Sequence, residues 1–391
     1  MNIIAFKMLI GDRAKYFGIV MGLTFASLLI TQQAAIFIGL MERTYNAIND
    51  VGLPDIWVMD EKVQFVDDVK PIQETKLLAV RGIRGVEWAM PMYKGLIKAR
   101  LDDGNFQTCI VLGLDDTTMV GGPPRFAKDK EGNDMGSLSD LRRADSIIVD
   151  SVGARTKLRK TLKDGTTRPL AVGDLLELND HRATVVGICE VARTFQSQPV
   201  VYTTYSRSKT FAPPERRLLS FVLVKAKPGQ NVTELCSVIK KTTGLAAMTQ
   251  QGFIDMTYNY YMKHTGIPIN FFIAIALGFV VGTAIAGQTF YNFTLDNLRH
   301  FGALKAMGAS NGMLLRMILC QSLLVGIVGY GIGVGLASCM GLLTGKTELA
   351  FKLPWQLLVG SAGAVLVICM MSAVVSIIKV MRLEPAIVFK G

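Results

Sequence analysis

The sequence predicts an α-helical membrane protein with four transmembrane helices and a large α+β extracytoplasmic domain inserted between the first and second. Three observations predict it. Residues 16–41, 267–293, 317–343 and 355–378 contain no Asp, Glu, Lys, Arg or His, and each run exceeds the roughly 20 apolar residues that a bilayer crossing takes. Residues 42–266 carry Asp, Lys, Gly and Pro throughout and hold no run long enough to span. Half of the chain is hydrophobic, yet its net charge is +11, and much of that basic excess stands beside the apolar runs. Basic residues in that position set orientation and meet anionic lipid, so membrane lipids and not nucleic acid are the expected contact.

In chain order, residues 1–15 mix Ile3, Phe6, Leu9 and Ile10 with Lys7, Arg13 and Lys15, the pattern of a short helix lying on the cytoplasmic surface. Residues 16–41 form the first span, entered from inside and retained as an anchor, because the run is too long for a signal peptide and lacks a cleavage site. Within the insert, 55–59 reads as a strand, 72–81 as a helix, and 86–101 as a long strand or pair that turns at Asp102, Asp103, Gly104 and Asn105 into 106–114. Gly121, Gly122, Pro123 and Pro124 break the chain, and 128–139 is polar enough for a mobile loop. Strands at 146–149, 175–178 and 183–189 suggest an inserted β-rich lobe around 115–215. A strand at 220–227, an amphipathic helix at 232–243 and a strand at 245–249 then echo the β-α-β order of 55–101. Tyr258, Tyr260 and Tyr261 stand where an aromatic belt would form as the chain returns to the membrane.

The second span, 267–293, leads into the basic segment 294–316 and then the third span, 317–343, where Gly331 and Gly335 have the GxxxG spacing of close helix packing. A short outer loop at 344–354 precedes the fourth span, 355–378, with Trp355 as its outer anchor, and the tail 379–391 with Lys379, Arg382 and Lys390 returns inside. Segment 294–316 carries Arg299, Lys305 and Arg316 against Asp296 and is too short for a domain. It belongs on the cytoplasmic side, where it is the natural handle for a partner that moves the membrane part.

Enzyme chemistry finds no support. His181, His264 and His300 are scattered, and no HExxH, GxSxG or CxxC occurs. Residues 341–347, GLLTGKT, put three residues between the glycines where a phosphate-binding loop needs four. Asp102 with Asp103 and Asp115 with Asp116 fit turns, and Met90 with Met92 fits packing better than a metal. The insert's Cys109, Cys189 and Cys236 allow at most one disulfide.

Arg299, Gly302, Leu304, Lys305, Ala306, Gly308 and Ala309 resemble the R-x-x-G-x-L-K-A-x-G-A loop of FtsX/MacB-type (type VII) ABC transporter permeases, with His300 where an acidic residue is common. Arg382, Pro385, Ala386 and Phe389 resemble the R-x-x-P-A-x-x-F tail of the same family. The resemblance runs over essentially the whole chain and is nearest to the DevC-like split form, which lacks its own nucleotide-binding domain. It implies a non-catalytic subunit of an exporter, with ATP and Mg held by a separate ABC ATPase. It assigns ATPase coupling to the segment around 301–313, with Arg299, Phe301, Gly302, Leu304, Lys305, Ala306, Gly308, Ala309 and Met313 as its residues. It further implies a homodimer, a periplasmic adaptor (membrane-fusion protein) with an outer-membrane duct, and a bacterial inner-membrane location with both termini cytoplasmic. A signal transmitter that controls a periplasmic hydrolase without moving a substrate has the same features and stands as the alternative.

Overall fold

The computed structural model describes residues 2–162, 165–214, 218–344 and 349–381. The tail motif at Arg382–Phe389 and the residues 345–347 of the phosphate-loop-like string lie outside them. The chain divides into two units, one of Met1–Leu40 with Gly266–Gly391 and one of Met41–Thr265.

Helices α1 (Asn2–Gly11) and α2 (Arg13–Arg43) are separated by Asp12 alone. The insert then begins with α3 (Asn46–Asn49), β1 (Ile56–Met59), α4 (Glu74–Arg81), β2 (Val86–Arg100) and β3 (Phe106–Leu114). It continues through β4 (Arg125–Phe126), β5 (Ser146–Asp150), α5 (Ser151–Arg155), β6 (Lys160–Thr161), β7 (Thr167–Arg168), β8 (Leu175–Leu178) and β9 (His181–Glu190). It ends with β10 (Val200–Thr204), α6 (Tyr205–Phe211), β11 (Phe221–Ala226), α7 (Val232–Thr243), β12 (Ala246–Thr249) and α8 (Gln250–His264). After it come α9 (Ile267–Asp296), α10 (Leu298–Ala306), α11 (Asn311–Thr344) and α12 (Trp355–Met381).

The two β-α-β pieces of the insert interlace. Their strands lie in the order β12-β1-β11-β2, every pair antiparallel. Because side chains alternate across a strand, Ile56 and Val58 pack with Leu235 and Ile239 of α7 on one face, while Trp57 and Met59 pack with Phe221 and Phe253 on the other. Helix α7 forms where Leu235, Cys236, Ile239 and Thr243 recur at helical spacing. Asn231 caps its start by accepting from the Thr233 and Glu234 N–H groups, and Gly244 in the left-handed region ends it.

The β-rich lobe is joined to the interlaced strands through β2, which runs in both. The 15 residues of β2 pair with β11 over Val86–Met92 and with β3 over Tyr93–Arg100. From β3 the pairing passes to β10, β5, β9 and β8, and β8 returns to β2 at Ala99 and Arg100, which closes a barrel. Closure leaves few free edges, and Ile97, Val111, Val149, Val185 and Val201 belong to its core. Strand β10, whose run VVYTT the sequence reading passed over, is wholly buried in this ring.

Two further expectations change. Residues 128–139 are held by local bonds: the backbones of Lys128 and Asp134 pair in an isolated β-bridge, Asp129 accepts from the Glu131 N–H at 2.8 Å and the Asn133 N–H at 2.9 Å, and Ser137 with Asp140 forms a capping box. Of the expected aromatic belt, Tyr258 stays exposed, but Tyr260 stacks on Phe65 at 4.4 Å and Tyr261 is buried against Phe65 and Phe195 inside the insert.

Among the described residues four helices, α2, α9, α11 and α12, are long and apolar enough to cross a membrane. Small residues set their contacts. On α2, Gly18, Gly22 and Ala26 meet Thr289, Ile285 and Gly282 of α9, so the contacts run in opposite directions along the two helices. Leu23 and Ser27 meet Gly329 and Gly333 of α11, running in the same direction. That alternation is what successive crossings of a membrane require. The close GxxxG pair is therefore Gly329 and Gly333, not Gly331 and Gly335: a Cβ on Gly333 would lie 2.7 Å from the Ser27 Cβ, whereas one on Gly331 or Gly335 meets nothing within 4 Å. With glycines at every second or third position, spacing alone does not identify the packed face.

Candidate functional site

Segment 296–316 folds as a short helix joined by a sharp corner to a long one. Asn297 closes α9, its side-chain amide donating to the Phe293 carbonyl at 2.9 Å, and its own carbonyl then accepts from the Phe301 N–H at 3.1 Å to start α10. The helix is one-sided. Phe301 is fully buried in the cluster that holds Phe290, Phe293, Leu314 and Met317, and Leu298 and Leu304 pack at its margin. Arg299, His300, Ala303, Ala306 and Met307 are exposed on the opposite side, Met307 at 76%.

The corner has a specific chemistry. Gly308 has φ +95°, the Ala309 N–H donates to the Leu304 carbonyl at 3.0 Å, and the Gly308 N–H donates to the Lys305 carbonyl at 3.1 Å. This is a Schellman termination, in which a glycine takes the left-handed turn, and the residues at either end, Leu304 and Ala309, both pack against the unit's core. Ser310 follows at once as the cap of α11, accepting from the Met313 N–H at 3.3 Å. The string L-K-A-M-G-A-S thus encodes one helix end, one turn and one helix start.

A charge cluster ties the segment's first residue to the N-terminal helices. Lys15 of α2 lies 2.9 Å from Asp12, in the break between α1 and α2, and also bonds Asp296. The acid of the segment is thereby engaged, which leaves a positive exposed surface with an apolar centre. Within the spans, the buried Gln321 side chain donates to the Ala5 carbonyl at 2.8 Å and so fastens α1 to α11.

The structure thus separates the nine residues assigned from the sequence. Arg299, Ala306, Gly308 and Met313 are exposed, Leu304, Lys305 and Ala309 are half-buried, and Phe301 and Gly302 are buried in the unit's own core. Phe301 and Gly302 position the segment and do not present a surface. Ala303 and Met307, absent from that set, complete the outer face; once the fold turns Arg299 outward, their spacing from it, four and eight residues, is the signal that finds them.

Cys109, Cys189 and Cys236 are buried and form no disulfide, and burial pushes the Cys109 thiol up to about 12, which keeps it protonated and inert. No group of three or more His, Cys, Asp or Glu that could hold a metal ion occurs among the described residues.

Comparison with known proteins bears on most of the chain. A model of the MacB-like periplasmic core domain matches residues 17–241, and a model of the FtsX-like permease C-terminal region matches residues 259–385. An uncharacterized ABC transporter permease, MJ1507 of Methanocaldococcus jannaschii, is 24% identical over 206 residues, which cover 49% of this chain and 51% of that protein. The chain therefore spans about half the length of the curated relative it matches. Among solved structures, the periplasmic region of MacB from Actinobacillus actinomycetemcomitans aligns with 15% identity and TM-score 0.36, covering 56% of this chain and 96% of that one. The extracellular domain of the noncanonic ABC-type transporter YknZ from Gram-positive bacteria aligns with 13% identity and TM-score 0.34, covering 50% and 98%.

Proposed function

The chain belongs to the FtsX/MacB-type ABC transporter permeases, and on that premise we propose that it is a multi-pass exporter subunit driven through α10 by a separate ATPase. The observation that carries this reading is the division of α10 into two faces. One face, centred on Phe301, is keyed into the helices of its own unit, and the other, Ala303, Ala306 and Met307, is apolar, exposed and bordered by Arg299. A helix built this way transmits a push as a rigid body. Its buried face acts on Phe290 and Phe293 of α9, and the Asp296–Lys15 bridge carries displacement to α2.

In this reading ATP and Mg sit on the ATPase, whose closure on binding nucleotide supplies the differential affinity that a two-state change needs. Helix α2 runs unbroken to Arg43 and α9 starts three residues after α8 ends, so movement of either is delivered to the ends of the insert. Two copies would grip an ATPase pair in the inner membrane, with termini and α10 on the cytoplasmic side. The insert would then pass substrate toward a periplasmic adaptor and outer-membrane duct.

Replacing Met307 with Glu tests the docking face without touching the core. The variant is expected to insert normally and to keep its thermal midpoint in detergent, while co-purifying at least tenfold less ATPase and losing nucleotide-dependent transport. Undiminished ATPase recovery and transport would remove this face from the mechanism. Chains that co-purify with the wild type separate export from signalling, since an adaptor supports the first and a cell-wall hydrolase the second.

A further inference from the structure

The insert contains a break in its sheet where β2 passes from the interlaced strands into the barrel. Pairing with β11 ends at Met92, and pairing with β8 starts at Ala99. Along the same stretch β2 stays paired with β3, but only through alternate residues. The Leu101 N–H donates to the Asn105 carbonyl at 2.9 Å, which fixes the register and turns the odd-numbered residues Tyr93, Gly95, Ile97 and Ala99 toward β3. The N–H and C=O groups of Lys94, Leu96 and Lys98 point the other way.

Lys94 is covered at both groups and Lys98 at its carbonyl. Ser220 covers Lys94, its hydroxyl accepting from the Lys94 N–H at 2.9 Å and donating to the Lys94 carbonyl at 3.2 Å. The Asn179 N–H donates to the Lys98 carbonyl at 2.9 Å. Between them, Leu96 lines a cavity of about 350 Å³, and among the described residues no strand pairs with its outward N–H and C=O. The cavity walls are Val69, Pro71, Leu96 and Leu218, with Asp67 and Lys94 at one side. Lys94 is 6% exposed and is held by Asp67 and, at 2.9 Å, by the Val66 carbonyl, so the polar side carries no net charge. An unpaired donor and acceptor on one residue, an apolar wall and a neutral polar side match a short extended peptide better than an anion or a cation.

We propose that this seam binds a neutral, apolar peptide segment of two or three residues, which pairs through the Leu96 N–H and C=O and lays a side chain against Val69, Pro71 and Leu218. The ligand completes the missing rung between Ser220 and Asn179. The proposal does not rest on the ATPase reading, because binding is a property of this chain alone.

The test uses the full chain in detergent with acetyl-Val-Leu-Val-amide as probe, followed by hydrogen exchange of the 93–98 segment and by titration. The expected result is about tenfold slower exchange of that segment at saturation. A probe methylated on its central amide nitrogen should bind about tenfold more weakly, since it lacks the donor that Leu96 accepts. Leu96→Pro deletes an N–H that no ladder bond uses and should weaken binding similarly, whereas Leu96→Ala keeps the N–H and should retain most of it. Three results would overturn the proposal: no protection at millimolar probe, equal affinity for the methylated probe, or equal protection by a lysophospholipid, which would make the cavity a general apolar site. The methylated probe leaves the protein unchanged, so the outcome stands even if the proline variant folds poorly.

Discussion

Asp50 follows α3 half-buried, accepting a hydrogen bond from the Ala192 N–H at 3.0 Å. Burial pushes its pKa up to about 6, against the opposing pull of that hydrogen bond and of the Arg125 charge. The folded insert therefore holds this proton more tightly than the unfolded chain does. Below about pH 4 both states are protonated and nothing is lost; as pH rises toward 6 the unfolded chain releases the proton first, so stability falls, and above 6 the full penalty applies. Discounted for partial exposure, that penalty is about 1–2 kcal/mol. Asp50→Asn should raise the unfolding free energy by this amount at pH 7.5 and leave it unchanged at pH 4, as read by denaturant titration at the two pH values. A gain that persisted at pH 4 would place the effect in packing instead of titration. Phe301 and Met307 make a second contrast at this scale, because a residue of α10 and the one that caps its end have opposite exposures, 0% and 76%. The motif that contains Phe301 marks the segment, but the surface belongs to Ala303 and Met307.

At the scale of elements, the corner between α10 and α11 and the contact between α2 and α11 each depend on a glycine for a different reason. Gly308 supplies a left-handed backbone at φ +95°, and any L side chain there is strained. Gly308→Ala should cost about 1–2 kcal/mol locally, seen as faster hydrogen exchange over 304–310 with the spans unaffected. Gly333 supplies space. Gly333→Leu should lower the thermal midpoint in detergent by several degrees, while Gly331→Leu, two residues away and facing open space, should leave it within one or two degrees. Equal loss from both would mean that a further partner covers the Gly331 face. Element boundaries were legible where local chemistry sets them: Asn231 and Gly244 bracket α7, and the turn at Asp102–Asn105 separates β2 from β3. Strand β10 was missed because its neighbours in the sheet, β3 and β5, lie far from it in the chain.

For the whole molecule, the charge-free runs, the basic segment and the intervening insert lead to one topology, and the helix contacts alternate in direction as that topology needs. Which side faces the cytoplasm is a matter for labelling. In a cysteine-free background, Lys130→Cys in the insert should react with a membrane-impermeant maleimide on intact cells, and Ala303→Cys on α10 should react only after lysis. The reverse pattern would invert the orientation and move α10 out of reach of any ATPase.

The sequence by itself determined the four spans, because a bilayer crossing is specified by length and by the absence of charge, both of which are local properties. It likewise determined the α10 corner, since a Schellman end followed by a serine cap involves residues no more than five apart. Tertiary structure alone decided which glycines of α11 pack, which residues of α10 point outward, and that the β-rich lobe shares a strand with the rest of its domain. It also decided where that shared strand lacks a partner. Each of these depends on pairing between residues distant in the chain, and a face or an edge becomes free or filled only once those partners have met.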